Sequence, residues 1–124
     1  MIIVDTSVWI DFFRQSDQQL TDKLEPLIDN NEVIALSCVF GELLQGVKSE
    51  SEERTILDFW NTLPKVDETN LFIDGGKISG KYKLSKRGVG LIDSCILAAT
   101  LKNNLSLWTF DRRLNEAYSS VLLG

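Results

Sequence analysis

The sequence predicts an α/β layer fold with a mostly parallel sheet, on three observations. Short apolar runs of strand length, residues 2–5, "VIALS" and "LSLWT", are each followed by residues with helical periodicity. Helical segments recur between these runs, with no internal repeat and no low-complexity linker, as in sheets whose strands are joined by helical crossovers. Four acids, Asp5, Glu42, Asp93 and Asp111, follow a buried strand or open a helix, and parallel sheets place their ligand sites beyond the carboxyl ends of the strands.

The elements follow in order. Ile2, Ile3 and Val4 form a buried strand that ends on Asp5. "SVWIDFFR" is a helix with Val8, Trp9, Phe12 and Phe13 on one side. "SDQQLTDKLEPLIDNNE" repeats the pattern through Leu20, Leu24, Leu27 and Ile28, with Asn30 and Asn31 as a stop. "VIALS" is a second strand, and "SCVFGELLQGV" a helix turning Val39, Phe40, Leu43, Leu44 and Val47 inward. "ESEERTILDFWNTL" is amphipathic and ends before Pro64. Residues 68–86 are helical despite Gly75, Gly76 and Gly80, which weaken helix interiors. "LIDSCILAATLKNN" is a helix, "LSLWT" a strand, "DRRLNEAY" a short helix and "VLL" a last strand.

At 124 residues the chain is read as one domain, residues 1–124, large enough to bury about two-thirds of its unfolded surface. Met1 leads straight into a strand and no apolar run approaches a membrane span. The expectation is a cytoplasmic, unprocessed chain without membrane contact. Cys38 and Cys95 lie far apart among apolar neighbours, which fits core residues better than a disulfide or a zinc site. Histidine is absent. That excludes Ser-His-Asp and Cys-His nucleophiles, imidazole bases and the commonest zinc sites.

The net charge of −5 argues against a whole-surface polyanion binder. Its distribution is uneven: "KISGKYKLSKRG" holds Lys77, Lys81, Lys83, Lys86 and Arg87 without an acid. A basic arm thus sits on an acidic body, with a solvated helix face as the plainer reading.

Neighbouring carboxylates raise one another's pKa, so a cluster either keeps a proton or binds a cation. Mg²⁺ and Mn²⁺ take oxygen ligands and need no histidine. Thr6, Ser7, Ser94 and Thr109 flank the acids and are placed to hold them. Taken singly, each acid has a structural alternative: Asp5 and Asp93 as helix-start acids, Glu42 as a solvated side chain, Asp111 as a helix cap.

"IIVDTSVWIDFFR", Glu42 within "CVFGELLQGV", "GVGLIDSCILAA" and "LWTFDRRL" together resemble the successive motifs of PIN-domain proteins, especially the VapC-type toxins of toxin–antitoxin pairs. The resemblance spans nearly the whole chain. It implies a three-layer α/β/α sandwich and an endoribonuclease using Mg²⁺ or Mn²⁺. By it Asp5, Glu42, Asp93 and Asp111 are the catalytic acids, with Asp5, Asp93 and Asp111 on the metal and Thr6 and Thr109 supporting them; Ser94 joins the supporting set by its position next to Asp93. Hydrolysis would leave a 5′-phosphate and a 3′-hydroxyl. Lys81, Lys83, Lys86 and Arg87 would guide an RNA substrate, tRNA being one candidate. The resemblance also implies a cognate antitoxin protein and a homodimer. One departure stands out: where similar proteins often carry a further acid or polar residue, this chain has Arg113, which bears on a second metal position.

Rival readings differ in class. An aspartyl-nucleophile phosphatase also starts with a strand ending on Asp, but wants a second Asp where Ser7 stands. A PIN-fold nuclease of RNA maturation and a non-catalytic metal- or phosphate-binding module use the same acids.

Overall fold

The computed structural model describes residues 1–123. The elements are β1 (Ile2–Val4), α1 (Thr6–Arg14), α2 (Gln18–Asp29), β2 (Val33–Ile34), α3 (Ser37–Gln45), α4 (Glu50–Thr62), α5 (Leu71–Tyr82), a 3-10 turn (Leu84–Arg87), α6 (Leu91–Lys102), β3 (Ser106–Trp108) and α7 (Arg112–Leu123). The sheet runs β2-β1-β3, and both pairings are parallel. Ile3 stands opposite Ile34 on one side and Leu107 on the other. The chain leaves β1 toward opposite neighbours, so the carboxyl end of β1 is the switch point where such sheets open a crevice. Asp5 occupies that point.

Two groups of helices flank the sheet. α1 packs on α2 and α3, and α3 on α4; α6 packs on α5, α7, β1 and β3. α6 is buried without interruption from Ser94 to Thr100, which explains its evenly apolar sequence: a helix enclosed on all sides needs no polar face. On the other flank Trp9, with no exposed surface, stands 5.6 Å from Phe40 and 5.7 Å from Phe59, ring centre to ring centre. Phe12, Phe13 and Trp60 pack against the same core. Such aromatic contacts add about 0.5–1.5 kcal/mol per pair beyond the area they bury.

Helix starts follow local chemistry. Asp17 caps α2 by accepting from the Gln19 and Leu20 amides. Ser49 caps α4 through the Glu52 amide, while Glu52 reaches back to the Lys48 amide, a reciprocal pairing close to a capping box.

Four expectations are corrected. β2 covers only Val33–Ile34 of "VIALS" because α3 begins at Ser37; Ala35 makes an isolated bridge to Lys65. Pairing in β3 stops at Trp108, since Thr109 turns out of the ladder toward Asp5. The helix expected over 68–86 runs only from Leu71 to Tyr82. Lys83 takes a left-handed conformation (φ 54°), which redirects the chain and drives Leu84 fully into the core. "VLL" is the end of α7, not a strand: Leu114, Ala117 and Val121 form one buried stripe at helical spacing.

The glycines of α5 have separate reasons. A Cβ on Gly75 would lie 2.6 Å from Cys95 Sγ and 3.0 Å from the Cys95 Cα and amide nitrogen, so only glycine lets α5 approach α6 this closely. A Cβ on Gly76 or Gly80 would meet nothing within 4 Å.

Candidate active site

Asp5 holds the N-cap position of α1, yet its side chain makes no cap hydrogen bond. Its Oδ2 instead accepts from Thr109 Oγ1 at 2.7 Å and from Ser7 Oγ at 3.0 Å. Asp5 is only 6% exposed, and burying its carboxylate is tolerable because two hydroxyls donate to the same oxygen. Among the described residues no donor reaches Oδ1, which is left for the cleft.

Thr109 is the joint of this arrangement. Besides donating to Asp5, its hydroxyl oxygen accepts from the Asp111 amide at 3.0 Å. Ser7 forms the parallel link, accepting from the Phe110 amide at 3.0 Å. The loop after β3 is thereby tied to the first turn of α1. In the sequence Ser7 is only a neighbour of the acids, and its position there does not reveal the bond to residue 110. Thr6 Oγ1 donates to Glu42 Oε1 at 3.1 Å, joining α1 to α3.

Asp111 is exposed and caps α7, its Oδ1 accepting from the Leu114 amide at 3.0 Å. Ser94 points elsewhere: its hydroxyl donates to the Gly90 carbonyl inside α6 at 3.0 Å, so it steadies the helix start and touches none of the acids.

Asp93 lies half-buried in the first turn of α6. Its carboxyl is pushed up to about 6, first by burial and then by the negative charges of Asp5, Asp111 and Glu42. Four acids spread over 106 positions of chain thus share one electrostatic environment. Among the described residues, no three His, Cys, Asp or Glu side chains converge as a ready-made metal cage. Asp5, Glu42 and Asp111 each accept a hydroxyl or amide hydrogen bond instead. The donor set nonetheless fits a hard divalent cation: carboxylates raise Asp93, the chain has no imidazole, and Asp5 keeps a free oxygen. The nearby Cys38 thiol is no soft ligand, since burial and then Cys95 and Glu68 push it up to about 12.

The basic segment lies beside α6. Lys81, Lys83, Lys86 and Arg87 are all exposed, Lys81 resting 5.2 Å from the Tyr82 ring centre and Arg87 donating to Ser120 Oγ at 3.0 Å. On the opposite flank, an open groove of about 560 Å³ runs between α1, α3 and α4 past Ile10, Phe13, Leu43 and Val47, with Glu42 on its wall.

Fold and cleft define a small parallel α/β protein with a carboxylate-lined switch point. A family model described as PIN domain matches residues 2–119. The chain belongs to the PIN-domain family, in its VapC-type branch. It is 32% identical over 121 residues to ribonuclease VapC32 of Mycobacterium tuberculosis, covering 94% of this chain and 90% of that one. To ribonuclease VapC19 of the same organism it is 32% identical over 118 residues, covering 91% and 90%. The crystal structure of VapBC2 from Rickettsia felis, bound to a DNA fragment from their promoter, has the same fold, with a TM-score of 0.71, 22% identity and coverage of 94% and 93%.

Proposed function

We propose that this chain is a divalent-metal-dependent endoribonuclease and the toxin of a toxin–antitoxin pair. The observation that carries the reading is the raised Asp93 carboxyl, set by burial and by Asp5, Asp111 and Glu42. Negative charges gathered at a sheet's switch point make a cation site. The ribonuclease names of the VapC relatives supply the substrate class.

Asp5 and Asp93, with Asp111, would hold the cation, and Glu42 would complete the acidic wall. When bound, a Mg²⁺ or Mn²⁺ ion supplies charge neutralisation and Lewis-acid activation for phosphodiester hydrolysis. Thr109 and Ser7 hold the Asp5 carboxylate in place by donating to its Oδ2. Thr6 does the same for Glu42. Lys81, Lys83, Lys86 and Arg87 draw the RNA backbone toward the acids, so binding weakens with salt.

The antitoxin is the other half of the proposal. The groove between α1, α3 and α4 mixes apolar Ile10, Phe13, Leu43 and Val47 with Arg14, Lys48 and Glu52 and reaches Glu42, so a peptide laid in it would arrive at the acids. A homodimer and a cytoplasmic setting belong to the same reading. No helix among the described residues is long and apolar enough to cross a membrane.

The test is cleavage of single-stranded RNA with and without Mg²⁺ or Mn²⁺, by the parent protein and by Asp5→Asn and Asp93→Asn proteins of unchanged circular dichroism. Each substitution is expected to lower cleavage at least about 10²-fold. Undiminished cleavage by both would remove the proposal.

A further inference from the structure

The 3-10 turn and α7 are joined by two arginines that reach in opposite directions. Arg87, at the end of the turn, donates from Nη2 to Ser120 Oγ of α7 at 3.0 Å. Arg113, in the first turn of α7, lies back over the turn's closing residue, Gly88. A Cβ on Gly88 would stand 2.6 Å from Arg113 Nη1 and 3.1 Å from its Cδ and Cζ. Gly88 is also left-handed (φ 78°), so glycine is favoured there twice over: by backbone conformation and by the guanidinium above it. Residues 113 and 120 are seven apart, hence on one face of α7.

Among the described residues neither guanidinium has a carboxylate partner. The ion pairs there are Lys102–Asp74 and Arg112–Glu116; Arg87 has only a hydroxyl partner and Arg113 has only packing. Guanidinium groups stay charged at any working pH, and their planar fork matches a phosphate with two parallel hydrogen bonds. Holding two such groups against backbone and hydroxyl, rather than against carboxylates, leaves their remaining donors for an outside anion.

The seam also has a direction. Gly88 leads within two residues to Gly90, the cap of α6, and Asp93 lies in that helix's first turn. Arg113 follows Asp111 by two residues. Both sides of the seam therefore begin beside an acid of the cleft.

We propose that the Arg87–Arg113 seam, with Gly88 as its floor, is a binding site for backbone phosphates of an RNA strand entering the acidic cleft. The proposal rests on the ribonuclease reading and assigns Arg113, absent from the basic arm read in the sequence, a place in substrate binding. Contacts of this kind position the strand without reading its bases.

The experiment is fluorescence anisotropy of 5′-labelled single-stranded RNAs of different sequence, titrated with full-length Asp93→Asn protein across a range of KCl. Arg113→Ala in that background is expected to make the plot of log affinity against log salt shallower by about 0.7, the share of one phosphate on a single strand, and equally for every RNA. Arg113→Lys keeps the charge but not the fork and falls between. Gly88→Ala, which changes no charge, weakens binding by displacing the guanidinium. Arg54→Ala, on the exposed surface of α4, leaves affinity and slope unchanged. If Gly88→Ala fails to fold, the two Arg113 variants decide alone. An unchanged slope for Arg113→Ala, with the parent binding RNA, overturns the seam and spares the ribonuclease reading. A parent that binds no RNA overturns both.

Discussion

Replacing Asp93 by Asn in metal-free protein should stabilise the fold at neutral pH and not at acid pH. No hydrogen bond among the described residues engages the Asp93 carboxyl, so the change removes charge and little else. The carboxyl rises from the ordinary 3.8 to about 6, a difference of about two units. Each unit corresponds to about 1.4 kcal/mol, so full transfer would give roughly 3 kcal/mol. Asp93 is half-buried at an open cleft, where solvent screening leaves about 1–2 kcal/mol. A carboxyl whose folded value exceeds its unfolded value favours folding only while protonated. Its contribution is complete below 3.8 and is lost as pH rises through about 6. Urea unfolding in EDTA from pH 4 to pH 8 should therefore show parent and Asp93→Asn together at pH 4, diverging through pH 6, with Asn more stable at pH 8. Adding Mn²⁺ at pH 8 should stabilise the parent by about 2.7 kcal/mol at a hundredfold excess over its Kd, and Asp93→Asn by only about 1.4 kcal/mol if it binds tenfold more weakly, so the gap should close. A pH-independent difference, or a less stable Asn protein at pH 8 in EDTA, would refute the reasoning.

Three further outcomes follow from the same contacts. Thr109→Val removes the hydroxyl that donates to Asp5 and accepts from the Asp111 amide; stability should drop by about 1–3 kcal/mol in urea unfolding, and cleavage should fall with it. Gly75→Ala pushes a methyl into Cys95 and should cost about 1–3 kcal/mol, whereas Gly76→Ala, facing open space, should gain about 0.5–1 kcal/mol in the same assay. Val121→Asp places a charge in the buried stripe of α7 and should lower the thermal midpoint by several degrees, a result that a surface strand at "VLL" would not give.

Much of the fold was legible because apolar spacing and strand length agree along this chain. Strand residues Ile2–Val4 are unambiguous as a short unbroken apolar run, and α6 is marked by the continuous apolar stretch Cys95–Ala99, buried along its whole length. The failures have local causes. Lys83 sits in a left-handed conformation that lysine does not advertise, and only the need to bury Leu84 explains it. "VLL" is too short to carry a period by itself; its helical character appears only in register with Leu114 and Ala117. Gly75 reads as a helix weakener in sequence and is a close-packing contact in space.

The site divides in the same way. An acid at a strand end is visible in a sequence, and its partners are not. Ser7 and Thr109 meet Asp5 across 2 and 104 positions of chain, and the second link exists only once β3 lies beside β1. Ser94 illustrates the reverse, a hydroxyl next to an acid in sequence that turns to its own helix backbone. Arg113 stands out in the sequence where similar proteins often carry an acid or polar residue, while its packing on Gly88 is a property of the folded turn.

Mn²⁺ titration of the parent and of Asp5→Asn, Glu42→Gln, Asp93→Asn and Asp111→Asn proteins at pH 7.5 examines the shared cation site directly. Each substitution should weaken binding about tenfold or more, and the parent's affinity should fall as pH drops below about 6, where Asp93 takes up its proton. Parent-like affinity in both Asp5→Asn and Asp93→Asn would mean that these acids do not act on one ion.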